Sequence, residues 1–178
     1  MELRSVIMDE AAVGRSLRRM THEIIEREHG ADSLILLGIK RRGLPLAQAI
    51  ANNILAFEGV EVPVGYLDIT LYRDDLSEIS PLPDAGDTLI PCPVEGKTVV
   101  LVDDVIFTGR TARAAIEGII RHGRPGRIRL AVLVDRGHRE LPIRPDFIGK
   151  NIPTAGSEVI AVTVPEIDGE PYGVKLYG

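Results

Sequence analysis

The hydrophobic positions of this chain change period several times, and each change marks an element. After Asp9, a residue suited to cap a helix, Val13, Leu17, Met20, Ile24 and Ile25 recur at helical spacing, and Gly30 supplies a stop. Residues 33–39 form an almost unbroken apolar run, the pattern of a strand buried on both faces. A polar turn, Lys40-Arg41-Arg42-Gly43, separates it from a second helical stretch. There Pro45 suits the first turn, and Leu46, Ala49, Ile50 and Ile54 share a face. Strands are predicted over 62–69, 99–102 and 128–134, with a helix over 111–122 closed by Gly123. Weaker strand patterns occupy 159–164 and 174–177. Strands alternating with helices predict an α/β fold with a mainly parallel central sheet flanked by helices.

One stretch, 71–94, has little periodicity and carries Pro81, Gly86 and Pro91 among its breakers. Long irregular segments inside a compact domain are commonly lids or binding loops; a solvated surface hairpin is the plainer reading. The length of 178 residues suits a single domain spanning 1–178. Cys92 is the only cysteine, which excludes an intrachain disulfide and a cysteine metal cluster. No apolar run approaches a membrane span, and the first residues lack a signal-peptide core, so a cytoplasmic location is expected. The net charge of -5 argues against a broadly basic surface but leaves room for a local basic patch.

The densest chemistry lies at Val99-Val100-Leu101-Val102-Asp103-Asp104-Val105-Ile106-Phe107-Thr108-Gly109-Arg110-Thr111. A strand runs into two adjacent carboxylates, then a short Thr-Gly-x-Thr loop opens a helix. Backbone amides and the positive end of a helix dipole make such a loop an anion nest. Carboxylates beside a phosphate would repel it. They fit if they face a hydroxylated group or a cation, and a ribose 5-phosphate with Mg²⁺ meets that description. In parallel sheets ligands bind beyond the C-terminal ends of the strands. Residues 40–43, 68–75, 103–111 and 135–139 all follow predicted strands, so all four are expected at one sheet edge.

The segment from Val99 to Thr111 resembles the phosphoribosyl pyrophosphate (PRPP) motif of type I phosphoribosyltransferases. Three further segments resemble one subgroup, the PyrR family of pyrimidine operon regulators that are also uracil phosphoribosyltransferases. They are Leu37-Gly38-Ile39-Lys40-Arg41-Arg42-Gly43, LDITLYRDDLS at 67–77 and LAVLVDRGHRELPIRPDFIGKNIP at 130–153. The PRPP motif alone would specify only the superfamily.

The resemblance implies a type I phosphoribosyltransferase fold with a flexible hood loop over about 70–94. It implies conversion of uracil and PRPP to UMP and diphosphate, with Mg²⁺ as cofactor. Asp103 and Asp104 would meet the ribose hydroxyls and, indirectly, the metal. Val105, Ile106, Phe107, Thr108, Gly109, Arg110 and Thr111 would grip the 5-phosphate. Lys40, Arg41, Arg42 and Gly43 would meet the diphosphate, and Arg73, with Tyr72, would close over it. Val134, Asp135 and Arg136 would form the base pocket. The family also implies binding of pyrimidine-gene leader mRNA with UMP or UTP bound, and assembly into homo-oligomers. Arg15, Arg18, Arg19 and His22, with Arg139, Arg144 and Lys150, are the candidate RNA contacts. A solvated helix face paired with nearby acids explains the same arginines. A purine or orotate phosphoribosyltransferase without RNA binding would share the PRPP motif and stays open here.

Overall fold

The computed structural model describes residues 1–70 and 88–178. In chain order the elements are β1 (Leu3–Met8), α1 (Glu10–Arg27), β2 (Leu34–Ile39), α2 (Gly43–Glu58), β3 (Val64–Leu67), β4 (Thr98–Ile106), α3 (Arg110–His122), β5 (Arg127–Asp135), β6 (Phe147–Asn151), β7 (Val159–Thr163), α4 (Pro165–Asp168) and β8 (Gly173–Tyr177). Five strands form a parallel sheet in the order β3-β2-β4-β5-β6. The remaining three form a small antiparallel sheet in the order β1-β8-β7.

Alternation along β4 builds a core on each side of the parallel sheet. Val100 and Val102 pack with Leu36 beneath α1 and α2, whose contributions include Leu17, Ile24, Leu46 and Ile50. Val99 and Leu101 pack with Ile35 and Leu37 beneath Ala112, Ala115 and Ile119 of α3. Successive side chains of a strand point to opposite faces, so one apolar run feeds both layers. Asp9 caps α1 as expected, its Oδ1 accepting from the Ala12 amide at 2.8 Å. The α2 helix begins at Gly43, two residues before the predicted proline, and closes on Gly59 with φ 67°.

The structure departs from the sequence reading in three places. The patterns at 159–164 and 174–177 are strands, but they extend the small antiparallel sheet and not the parallel one. β1 and β6 had no prediction: β1 is largely exposed without alternation, and β6 is five residues containing Gly149, Lys150 and Asn151. β4 continues to Ile106, so Asp103 and Asp104 sit within the strand end and not in the loop after it.

An ionic cluster closes the opposite, N-terminal edge. The Glu28 side chain, 2% exposed, accepts from Arg129 at 2.7 Å, Arg127 at 3.3 Å and the Thr98 hydroxyl at 3.2 Å. Asp146 faces Arg27 at 3.3 Å and Arg129 at 3.5 Å and accepts from the Leu130 amide. Among the described residues no helix is long and apolar enough to cross a membrane.

Candidate active site at the C-terminal edge of the sheet

Because the five strands are parallel, the loops that follow β2, β3, β4 and β5 emerge at one edge. This holds for 40–43, for 68–70, for 107–109 and for 136–139. Residues 71–75 of the second loop lie outside the described residues, and so do Tyr72 and Arg73.

The loop expected to form an anion nest lies at the start of α3. Gly109 takes φ 93°, a left-handed conformation that a side chain would strain, and α3 starts at the next residue. Asp103, Val105, Phe107, Thr108, Gly109 and Thr111 line a common cavity there. The loop is braced from behind. The Ile106 carbonyl accepts from the Arg136 amide at 3.2 Å, and the Thr108 carbonyl from the amides of Glu140 and Leu141 at 2.9 and 3.2 Å. The Arg110 side chain pairs with Glu140 at 2.8 Å.

The two acids turn back on their own backbone. Asp103 Oδ1 accepts from the Asp104 amide at 2.9 Å, and Asp104 Oδ1 from the Val105 amide at 2.8 Å. Burial, then the neighbouring charge of Asp104, pushes the Asp103 carboxyl well above the ordinary carboxylate range. Such a pair gains from any cation or hydroxyl that approaches it.

The cationic turn comes close behind. The Lys40–Arg41 peptide is cis. The Lys40 ammonium lies 4.4 Å from the Tyr66 ring centroid, and Arg41 is exposed. A Cβ on Gly43 would collide with the Val102 carbonyl oxygen, and one on Gly38 with the Leu44 backbone. Only glycine at both places lets α2 start directly against the strand end that carries the acids. Arg42 is paired with a residue far along the chain. Its Nε and Nη2 donate to Asp168 at 3.2 and 2.7 Å.

The loop expected to receive the base follows β5, and its side chains are engaged by the protein itself. Val134 is fully buried, paired in the sheet with Val105 on one side and Lys150 on the other. Asp135 is a hub: Oδ1 accepts from the Gly137 amide at 2.9 Å, Oδ2 from Arg139 at 2.6 Å, and its carbonyl from the Ile152 amide at 2.8 Å. Arg136 is 7% exposed, and its guanidinium donates to Thr154 Oγ1 and to the Ala155 and Glu158 carbonyls. It also lies over the Phe107 ring. A second cavity is lined by Asp135, Gly137, His138, Asn151, Ile152 and Thr154. Asn151 to Thr154 were missed as its wall, because a short polar strand gives no alternating signal.

The candidate RNA residues divide. Arg15, Arg18, Arg19 and His22 are exposed along α1. Arg15 and Arg19 share a groove with Lys150 of β6. Arg19 pairs with Glu23 at 2.6 Å and donates to the Ile148 and Gly149 carbonyls. His22 stacks on Phe57, with ring centroids 4.2 Å apart. Arg144 is exposed ahead of β6. Arg139 is not part of that face: it donates to the Phe107 carbonyl at 2.7 Å, to the Ile143 carbonyl and to Asp135.

An anion nest, two acids and a cationic turn at one edge of a parallel sheet define a phosphoribosyltransferase-like site, and a family model agrees. The model of the phosphoribosyl transferase domain matches residues 5–167. A hypoxanthine-guanine phosphoribosyltransferase from Bacillus anthracis superposes with TM-score 0.73 at 16% identity, covering 99% of this chain and 100% of that one. The hypoxanthine phosphoribosyltransferase of Trypanosoma cruzi gives TM-score 0.74 at 16% identity, over 98% and 96% of the two chains. These likenesses concern the fold. Sequence relatives narrow the class. A "Bifunctional protein PyrR" from Clostridium novyi is 55% identical over 177 residues, 99% of each chain. One from Thermus thermophilus is 58% identical over 170 residues, 96% of this chain and 94% of that one. The chain belongs to the PyrR family of phosphoribosyltransferases.

Proposed function

We propose that this protein converts uracil and PRPP to UMP and diphosphate, and that with UMP or UTP bound it binds the leader mRNA of pyrimidine genes. The observation that carries the enzymatic half is the meeting of three devices at one sheet edge: the α3 nest, the Asp103–Asp104 pair and the 40–43 turn. The near full-length likeness to proteins named bifunctional supports the pairing of two activities.

The reaction breaks the bond between C1′ and the diphosphate oxygen as uracil N1 bonds to C1′; the N1 proton leaves to solvent. Positive charge develops on the ribose in between. The amides of 107–111 bind the 5-phosphate and fix the ribose in register with the sheet edge. Asp103 and Asp104 accept from the ribose hydroxyls and set negative charge beside the developing cation. Backbone groups of 134–137 receive the base. The 40–43 turn meets the departing diphosphate, and the family resemblance assigns Arg73 to the same group.

Among the described residues no group of three His, Cys, Asp or Glu side chains could cage a metal. Mg²⁺ keeps waters and binds through one or two carboxylates and substrate oxygens. When bound it neutralises the leaving diphosphate. Asp103 and Asp104 would hold it indirectly, through the ribose hydroxyls.

The RNA half rests on the α1 groove with Arg15, Arg19 and Lys150. Phosphate contacts there would give salt-dependent affinity, and unpaired bases would give specificity. The reading places the protein in the cytoplasm as a homo-oligomer. Diphosphate release from PRPP on adding uracil tests the enzyme, and release with hypoxanthine or orotate but not uracil overturns it. Leader-hairpin binding strengthened by UMP tests the regulator, and binding indifferent to nucleotide overturns it.

A further inference from the structure

Arg42 belongs to the cationic turn after β2, and its partner comes from far along the chain. Asp168 ends α4, beyond the last strand of the parallel sheet. Nε of Arg42 donates to Oδ2 at 3.2 Å and Nη2 to Oδ1 at 2.7 Å, a fork-on-carboxylate pair. Asp168 is itself fixed, because Oδ2 also accepts from the Val164 amide at 2.8 Å. The turn that carries it closes on Gly169 at φ 67°, whose amide bonds the Pro165 carbonyl. Among the described residues, Arg42 Nη1 has no hydrogen-bond partner. Asp104 lies within Coulombic range of the same guanidinium. One edge of the group is therefore held by its anchor, and the other is open.

The side chains of the pair are 38% and 20% exposed, a setting in which an ion pair adds little to folding. Its larger effect is on order. An arginine side chain surrenders much of its rotamer freedom when it is fixed, and here that loss is taken before any ligand arrives. We propose that Asp168 is a positioning residue for the transferase reaction: it holds the Arg42 guanidinium so that the open edge meets the diphosphate of PRPP. This rests on the phosphoribosyltransferase reading of the 40–43 turn.

Charge and orientation predict opposite signs, which makes the inference testable. Asp168→Asn adds one unit of positive charge near the diphosphate, so charge alone would tighten binding. Loss of orientation weakens it. Titration calorimetry of the full chain in magnesium buffer, with PRPP, inorganic diphosphate and UMP as separate probes, reads the difference without needing uracil turnover. Asp168→Asn is expected to weaken PRPP and diphosphate about tenfold and to leave UMP, which has no diphosphate, within twofold. Arg42→Ala is expected to weaken the same two ligands, and the double variant to be no worse than Arg42→Ala alone. Arg42→Lys keeps the charge but loses the fork, so it should behave like Asp168→Asn and serves if that variant folds poorly. Unchanged or tighter diphosphate binding in Asp168→Asn overturns the inference, as does wild-type binding by Arg42→Lys. Equal weakening of UMP overturns it too. If all the expected shifts appear but uracil is not used, the base assignment fails and the positioning role stands.

Discussion

The guanidinium of Arg136 lies over the ring of Phe107, 4.0 Å from its centroid. The two residues belong to different loops, one after β5 and one after β4. Their contact welds the loop predicted for the base to the loop predicted for the phosphate. His138 adds an edge-on contact to the same ring, with centroids 5.6 Å apart.

Removing the ring should loosen the phosphate loop. A cation–π contact is worth about 0.5–2 kcal/mol. Phe107→Ala is expected to raise KM for PRPP about tenfold while lowering Tm by only a few degrees. Steady-state kinetics beside a thermal melt would check this, and an unchanged KM would refute it.

Arg139 was placed among the RNA contacts by sequence, and the structure gives it other work. Arg139→Ala should release the Phe107 carbonyl from Asp135 and raise KM for both PRPP and uracil several-fold. Leader-RNA affinity at saturating UMP should stay within about twofold. A filter-binding assay that showed the reverse would restore the earlier assignment.

Asp103 carries a cost in the free protein. Its carboxyl titrates well above the ordinary range, through burial first and the Asp104 charge second. The native state therefore keeps a proton that the unfolded chain releases near pH 4, and stability falls as pH rises from there through the native value. Asp103→Asn should remove that slope and melt about 3 °C higher at pH 7.5, a gain of roughly 1 kcal/mol. Turnover should fall at least about a hundredfold. Melts between pH 5 and 8 would expose the difference, and a lower Tm for the variant would be the wrong sign.

Glu28 behaves in the opposite way. Burial pushes its carboxyl up, but the hydrogen bonds from Arg129 and Arg127 outweigh that and hold it below the ordinary range. Its stabilisation is present above the usual carboxylate pKa and is lost as pH falls through the native value. Glu28→Gln should cost about 2 kcal/mol, or roughly 6 °C in Tm at pH 7. The gap to wild type should close on acidification below about pH 4. A constant gap across that range would count against the ionic account.

Salt titration separates the RNA face from its surroundings. Arg15→Ala and Lys150→Ala should each reduce the slope of log affinity against log salt by about 0.7, the share of one phosphate contact to single-stranded RNA. Slopes equal to wild type in both would remove the α1 groove from the interface.

The parts of this molecule legible in sequence are those where one physical demand dominates. The run before Asp103 had to be a buried strand, and Gly109 before a helical pattern had to make a nest. Lys40 to Gly43 read as a cationic turn from composition alone. The parts that stayed hidden depend on partners distant in sequence. Nothing local distinguishes Arg139, which bonds Phe107 and Asp135, from a solvated arginine such as Arg144. Nothing near Arg42 announces Asp168. β6 escaped notice because its place at the edge of the parallel sheet comes from pairing with β5, while Gly149, Lys150 and Asn151 carry little intrinsic strand preference.

The ionic cluster around Glu28 and the ligand-facing loops occupy opposite ends of the same strands. On β5 they are represented by Arg129 and Asp135, six residues and so about 20 Å apart. Effects of changes separated that far usually add. Changes around Glu28 can thus alter thermal endurance without reading through to the chemistry at the other rim. A lineage moving to a hotter or colder habitat would need to edit only the lower rim.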